Sequence, residues 1–437
     1  MKKKTSGSSP SISLTRGRTP KGVGPVFSRI ASFRRVSTAR LLNLFSLWGY
    51  AEITLPAFEY LDSLGPGMDP SLLHKAYTLQ DRGSGHVLIL RPDATAQIAR
   101  LVAQGDAQAG QIQRYSYSTS VFRHEDHHIL ERELLQTGIE MFGADGNRAD
   151  WEILSLCLEG SEILGLSDPL LSVSHCGLQK ALLHFMGKGL YPGQKNELQR
   201  FFYAHDSIVL TDLLASGPSF DPRLPRLFNL LLGQTYTVAD AIELMEKDPV
   251  FKLSDEISDQ SFHLVEILRL LSCQDRERVR VDFALSPSGP YYSGMIFHLY
   301  SKGTYQELAS GGRYDSLPAL FGRTMPATGF AFHMNRIEGV LSDLGEKGMS
   351  DCLHVTIPSG SPDVVDALFS CANDLRSCGV SVIFVEQGTN SPSVAIARWL
   401  LSWNGKDFLL SHPDPQVLPI HFERPESDRI LAFIRNR

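Results

Sequence analysis

The chain has 437 residues, 43% hydrophobic and 21% charged, which excludes wholesale disorder and supplies enough apolar material for about two to three domains. Its 42 Lys/Arg and 48 Asp/Glu give a net −6, but residues 1–40 hold ten basic residues and no acid, so the remainder carries 32 − 48 = −16, a poor general partner for nucleic acid. No run of about 18 apolar residues spans a membrane and no apolar segment near the start reads as a secretory signal, while six scattered cysteines without a C-x-x-C pair point to reduced, cytoplasmic thiols rather than a zinc ribbon or a disulfide framework.

In chain order, residues 1–25 are rich in Ser, Gly, Lys and Arg and read as a flexible basic tail; the lack of acids also fits an organelle transit peptide. Residues 29–48 place Ile30, Phe33, Leu41, Leu44, Phe45 and Trp48 at helical spacing, stopped by Gly49. Strands are expected at Ala51–Leu55 and Val87–Leu90, then a helix from Ala94 to Ala103 capped by Asp93. Residues 113–123 and 132–142 read as an antiparallel hairpin, 150–164 as a helix, and about 176–275 as a broken, leucine-rich helical segment. Strand-like runs return at 279–285 and 291–300. A glycine turn at 310–312 leads to a helix near Asp315, and the strand Thr328–Phe332 feeds a helix from Met334 to Leu344. After a linker at Gly345–Ser350, residues 351–437 alternate as β-α-β-α-β (strands at 354–357, 380–386 and 408–410; helices at 363–377 and 391–402), the pattern of a small α/β domain.

Five segments could carry chemistry. In the strand around 132–142, Gln136, Gly138 and Glu140 share a face, with Leu135, Ile139 and Met141 on the other. Gly138 would leave a hollow rimmed by an amide and a carboxylate. Two readings stand: a solvated edge face, or a pocket in which a cationic ligand partners a buried Glu that would otherwise be costly. Arg123, on the partner strand, is either part of a cross-strand ion pair or part of that pocket. In Leu90-Arg91-Pro92-Asp93-Ala94-Thr95, Asp93 caps the helix, or Asp93 and Thr95 meet a ligand ammonium, or both. Adjacent tyrosines Tyr291 and Tyr292 in a strand would face opposite ways, so one at most would enter the pocket directly. Ser310-Gly311-Gly312-Arg313-Tyr314-Asp315 allows close approach of a ligand or another strand, and Gly329–Arg336 runs from strand to helix beside an arginine. No metal-ligand spacing, phosphate-loop fingerprint or Ser/Cys nucleophile arrangement is present, so neither metal nor cofactor is expected.

In this order the segments resemble the class II aminoacyl-tRNA synthetase core, specifically its histidyl branch. Leu90–Thr95 is similar to L-R-P-[ED]-x-T, Phe122–Glu125 with Arg132–Glu140 to motif 2 and its following strand, and Tyr291–Gly294 to Y-Y-T-G. Gly311–Asp315 matches G-G-R-Y-D, and Gly329–Arg336 is similar to motif 3. The resemblance covers about 25–345 and implies an α+β fold: an antiparallel sheet flanked by helices over 26–345, with 351–437 loosely similar to an anticodon-binding domain. It further implies histidine contacts at Asp93, Thr95, Arg123, Gln136, Glu140, Tyr291 and Tyr292. Asp93 and Thr95 would take the α-amino group, Glu140 and a tyrosine the imidazole, and Gln136 and Arg123 the carboxylate.

Departures from that branch set the expected function. Pro287 stands where histidyl-tRNA synthetases carry the arginine that helps form the adenylate, and a proline supplies no cation. The connector 126–131 has two acids and no Lys or Arg, His333 replaces a small residue, and residues 351–437 carry seven basic against ten acidic side chains. A chain that keeps the histidine pocket but loses adenylation is similar to the regulatory subunits of ATP phosphoribosyltransferase. That resemblance implies no catalytic residues in this chain, a short-form catalytic subunit as partner, L-histidine as feedback effector in the first step of histidine biosynthesis, and a homodimer inside a hetero-oligomer. It implies neither membrane association nor functional tRNA binding. Histidine–tRNA ligase is the alternative, and an RNA-binding or stress-sensing synthetase paralogue is the third reading.

Overall fold

The computed structural model describes residues 20, 22–105, 111–124, 132–215, 224–289, 291–343, 352–357, 362–378, 380–386, 399–404, 406–412 and 417–435. The tail, the connector 126–131 and the linker 345–350 therefore lie outside the described residues, apart from residues 20 and 22–25 of the tail. The chain divides into two compact units, 1–344 and 345–437.

Among the described residues of the first unit, nine strands form one sheet, in the spatial order 51–52, 113–122, 133–142, 327–333, 309–313, 295–300, 170–175, 279–281 and 236–237. The six from 113–122 to 170–175 pair antiparallel throughout. The period-2 pattern of the strand Glu133–Phe142 decides which face is which. Ile139 and Met141 join the larger core with helices Ser28–Leu47, Asn147–Ile163 and Asp255–Leu270, while Leu134 and Phe142 pack on the opposite side with helix Ala94–Gln104. A Cβ at Gly160 would sit 2.7 Å from the Phe332 ring, so the helix Asn147–Ile163 lies directly on the sheet. A separate three-stranded antiparallel sheet (58–60, 87–90, 78–80) leads into helix Ala94–Gln104.

Among the described residues of the second unit there are five strands, 381–386, 352–357 and 399–403 mutually parallel and 408–411 and 420–422 antiparallel, packed on helices Pro362–Ser377 and Ser427–Arg435.

Several expectations are corrected. Residues 310–312 are not a turn: Ala309–Arg313 is an interior strand, and Pro318–Phe321 is only a short 3-10 turn. The glycines are there because neighbouring strands come close: a Cβ at Gly311 would lie 2.3 Å from Phe330 Cβ, and one at Gly312 2.3 Å from the Met295 carbonyl oxygen. The strand expected at 291–300 spans Met295–Tyr300, that at 279–285 only Val279–Val281, and that at 51–55 only Ala51–Glu52. Of the helix expected at 391–402, residues 391–398 are outside the described residues, and Trp399–Trp403 is a strand pairing with both 352–357 and 408–411. The strands Leu170–His175 and Tyr236–Thr237 flank or interrupt segments whose leucine content reads as helix.

Candidate functional site

The site is built where the start of helix Ala94–Gln104 meets the hairpin. Arg91, buried, donates from Nε to the Ser120 carbonyl (2.6 Å) and from Nη1 to the carbonyls of Leu55 and Pro56 (2.8 Å each). These bonds satisfy buried backbone oxygens and fix the next residues, Pro92 and Asp93, against the strand Gln113–Phe122. Asp93 Oδ1 accepts from the Thr95 and Ala96 amides at 2.7 and 3.4 Å, which makes it the N-cap. Its other oxygen lies 3.6 Å from Arg123 Nη2, while Arg123 Nε donates to the Pro92 carbonyl at 2.7 Å. Asp93 therefore both caps the helix and carries a charge at the cavity.

Glu140 is the most deeply buried acid here, at 1% exposure. Thr95 Oγ1 (2.7 Å) and the Tyr117 hydroxyl (3.3 Å) donate to its Oε1, and the Tyr314 hydroxyl donates to Oε2. Burial pushes its pKa up to about 8, only partly offset by the hydroxyls of Tyr314 and Thr95. At neutral pH in the empty protein it is therefore largely protonated. Burial and the adjacent Glu140 carboxyl raise the Tyr117 and Tyr314 phenols well above their ordinary value, so both keep their protons.

The hollow expected over Gly138 is filled. A Cβ there would lie 2.3 Å from the Phe330 carbonyl oxygen and 3.0 Å from the Tyr117 hydroxyl, so the glycine admits the neighbouring strand and this ring. Gly329 has the same role for Glu140, whose Oε2 would lie 2.0 Å from an added Cβ, with the Ile139 carbonyl oxygen at 2.4 Å. Backbone on one side leaves little room to relax. Gly329→Ala is expected to cost about 1–3 kcal/mol, read as a lower midpoint in chemical denaturation.

The cavity of about 350 Å³ is lined by Asp93, Thr95, Arg123, Gln136, Tyr291 and Tyr292 of the expected set, with Glu140 directly behind the hydroxyls of Thr95, Tyr117 and Tyr314. Both tyrosines reach it, contrary to the alternation argument, because 291–294 precede the strand rather than belong to it. Their rings lie 4.8 Å apart and 5.9 and 6.4 Å from Tyr314, forming an aromatic wall. Lys180 Nζ donates to the Tyr292 carbonyl (3.1 Å), and Gln179 Nε2 to those of Phe283 (3.2 Å) and Leu285 (2.8 Å), so helix Cys176–Met186 holds this wall in place.

At the far end of the cavity, sequence reasoning singled out Pro287, Ser310, His333 and Arg336 but missed His298 and Glu307. Ser288, His298, Glu307, Ser310, His333 and Arg336 line this end, next to Pro287. His298 Nε2 is 2.7 Å from Ser288 Oγ, His333 Nε2 is 3.2 Å from Ser310 Oγ, and both rings approach Glu307 at 3.6 Å. Arg336 Nη1 donates to Glu307's carbonyl (3.0 Å) and carboxylate (3.2 Å). Burial favours the neutral acid, but the hydrogen bond from His333 and the charges that His333, His298 and Arg336 carry at acid pH outweigh it and hold Glu307 at about 2. The available signal was period-2 placement: Ser310 and Gly312 alternate in one strand, as do Ala331 and His333 in the next. Arg313 is not at the cavity. It is buried against Asp150 (Nη2–Oδ1 2.9 Å) and Asp315 (3.1 Å). Among the described residues no cluster of three or more His, Cys, Asp or Glu is arranged to hold a metal ion.

The central antiparallel strands, with this cavity beside the helix start, define a class II synthetase core of the histidyl type. The family model described as Histidyl-tRNA synthetase matches residues 26–337. A solved histidyl-tRNA synthetase from Nostoc shares the fold at TM-score 0.74 and 15% identity, covering 96% of this chain and 99% of that one. A chain described as an ATP phosphoribosyltransferase regulatory subunit/histidyl-tRNA synthetase from Bacillus halodurans superposes at TM-score 0.70 and 25% identity, over 87% of this chain and 95% of its own. The ATP phosphoribosyltransferase regulatory subunits of Symbiobacterium thermophilum and Moorella thermoacetica are 31% and 30% identical, covering 85% and 89% of this chain and 92% and 98% of theirs. This chain belongs to the family of ATP phosphoribosyltransferase regulatory subunits.

Proposed function

We propose that this chain binds free L-histidine, does not activate it, and transmits its presence as feedback inhibition to a short-form ATP phosphoribosyltransferase catalytic subunit. The observation that carries the reading is the juxtaposition of an intact amino-acid lobe with Pro287 on the cavity wall. Asp93 and Thr95 take the α-ammonium; Arg123 and Gln136 take the carboxylate; Tyr291 and Tyr292 enclose the side chain. On binding, Glu140 gives up the proton it holds in the empty protein, and the carboxylate then accepts the Thr95, Tyr117 and Tyr314 hydroxyls, which turns their lone pairs toward the cavity to receive an imidazole N–H. No cation stands at Pro287 to stabilise the charge that develops in adenylate formation, so catalysis of aminoacylation has no electrostatic support there.

Reconstitution tests this. With the catalytic subunit present, the chain is expected to confer ATP- and phosphoribosyl-pyrophosphate-dependent product formation that millimolar L-histidine suppresses, and it is expected to give no histidine-dependent pyrophosphate exchange. Exchange would overturn the reading in favour of a ligase. Inhibition requires that histidine bind the two assembly states with different affinity.

A homodimer within the assembly accords with an apolar face on the three-stranded sheet, where Phe58, Tyr60 and Leu79 are exposed side by side, and with exposed Phe27 and Leu47 at the ends of the first helix. Sedimentation is expected to give a dimer, and a monomer at micromolar concentration would contradict it. The second unit's acidic balance argues against RNA, because phosphate contacts dominate such affinity. Among the described residues no helix is long and apolar enough to cross a membrane, and we place the chain's action in the cytoplasm.

A further inference from the structure

The far lobe of the cavity has a specific composition that binding of an amino acid in the near lobe leaves unexplained. Glu307, with 27% of its side chain exposed, is a carboxylate on the cavity wall, surrounded by two imidazoles and a guanidinium. Arg336, the cation lining this end, spends Nη1 on Glu307 twice, through the backbone carbonyl and the carboxylate. His333 is 7% exposed, and its ring occupies space beside Ser310. Burial lowers the pKa of both imidazoles, so at neutral pH they act as hydrogen-bonding groups and not as cations. The lobe therefore holds one negative and one positive charge already matched to each other. A polyanion entering it would meet the Glu307 carboxylate and would find Arg336 engaged.

We infer that Glu307 is a specificity-determining residue that closes the cavity to polyphosphate ligands, nucleoside triphosphates among them, by neutralising Arg336 from within. The inference rests on the reading that the near lobe takes a free amino acid, and it states how a cavity with room beyond the amino acid would exclude a nucleotide. It differs from the loss of a catalytic cation at Pro287, which bears on reaction and not on entry.

The probe is inorganic tripolyphosphate, titrated calorimetrically into wild type, Glu307→Gln and the double variant Glu307→Gln/Arg336→Met, with L-histidine titrated into the same samples. Wild type is expected to bind tripolyphosphate at least tenfold more weakly than E307Q, and the double variant to lose the gain. If E307Q does not fold, judged by its melting transition, Glu307→Thr is read in its place. Equal tripolyphosphate affinity in wild type and the folded variant overturns the inference, as does a gain that persists without Arg336. Failure of wild type to take up L-histidine would instead overturn the near-lobe reading, while the tripolyphosphate comparison would still decide the role of Glu307.

Discussion

Glu140→Gln is expected to weaken L-histidine binding by at least 100-fold, about 2.7 kcal/mol, while the protein stays folded. The replacement keeps the volume that fits against Gly329. It changes the polarity of the bound state: the carboxylate formed on binding accepts from Thr95, Tyr117 and Tyr314, whereas an amide nitrogen must go on donating to one of them. That hydroxyl then turns its proton into the cavity and meets an imidazole N–H donor head-on. A site built to hydrogen-bond a ligand group loses most when a partner is left unpaired.

The same variant has a stability signature with a definite sign. Because folding raises the Glu140 pKa from its ordinary 4.5 to about 8, the folded state holds a proton that the unfolded chain releases. The contribution is fully present below about pH 4.5 and is lost as pH rises through 8. Wild type is therefore expected to lose stability relative to E140Q between pH 5 and 8.5, read as a fall of its melting temperature relative to that of E140Q. A pH-independent difference would show that Glu140 is ionised in the empty protein.

Asp93 separates capping from ligand binding by two substitutions. Asp93→Asn keeps an oxygen for the Thr95 and Ala96 amides but removes the charge offered to an ammonium. It is expected to cost about 2–5 kcal/mol of histidine binding and little stability. Asp93→Ala removes the cap as well and leaves Arg123 without its ion-pair partner, so a further loss of about 0.5–2 kcal/mol in folding stability is expected. Urea denaturation of both variants reads the second quantity. Equal histidine affinity for D93N and wild type would mean that Asp93 serves the helix alone.

These expectations depend on features that differ in how far the sequence shows them. The strand Glu133–Phe142 was legible because one face is apolar and the other carries Gln136 and Glu140, and a one-residue slip would bury the wrong set. Asp93 was legible because a cap before an alternating apolar run has a local cause. Tyr291 and Tyr292 were misread: nothing in the tyrosine pair shows that the strand begins only at Met295, and the bonds from Gln179 and Lys180 that shape this stretch come from more than a hundred residues away. Gly311-Gly312 looked like a turn because turns and closely packed central strands call for glycine for different reasons. The strand Trp399–Trp403 was missed because two partner strands impose an extended conformation on a leucine- and tryptophan-rich stretch. Glu307 lies in a segment with no pattern at all. Its role exists only once His298, His333 and Arg336 are brought around it from two other strands and a helix start.

Calorimetric titration of L-histidine into the purified chain, alone and with the short catalytic subunit, tests the central claim most directly. The account predicts one saturable site per chain, strongly weakened in both D93N and E140Q. Absence of binding in both preparations, or binding that neither substitution affects, would contradict it.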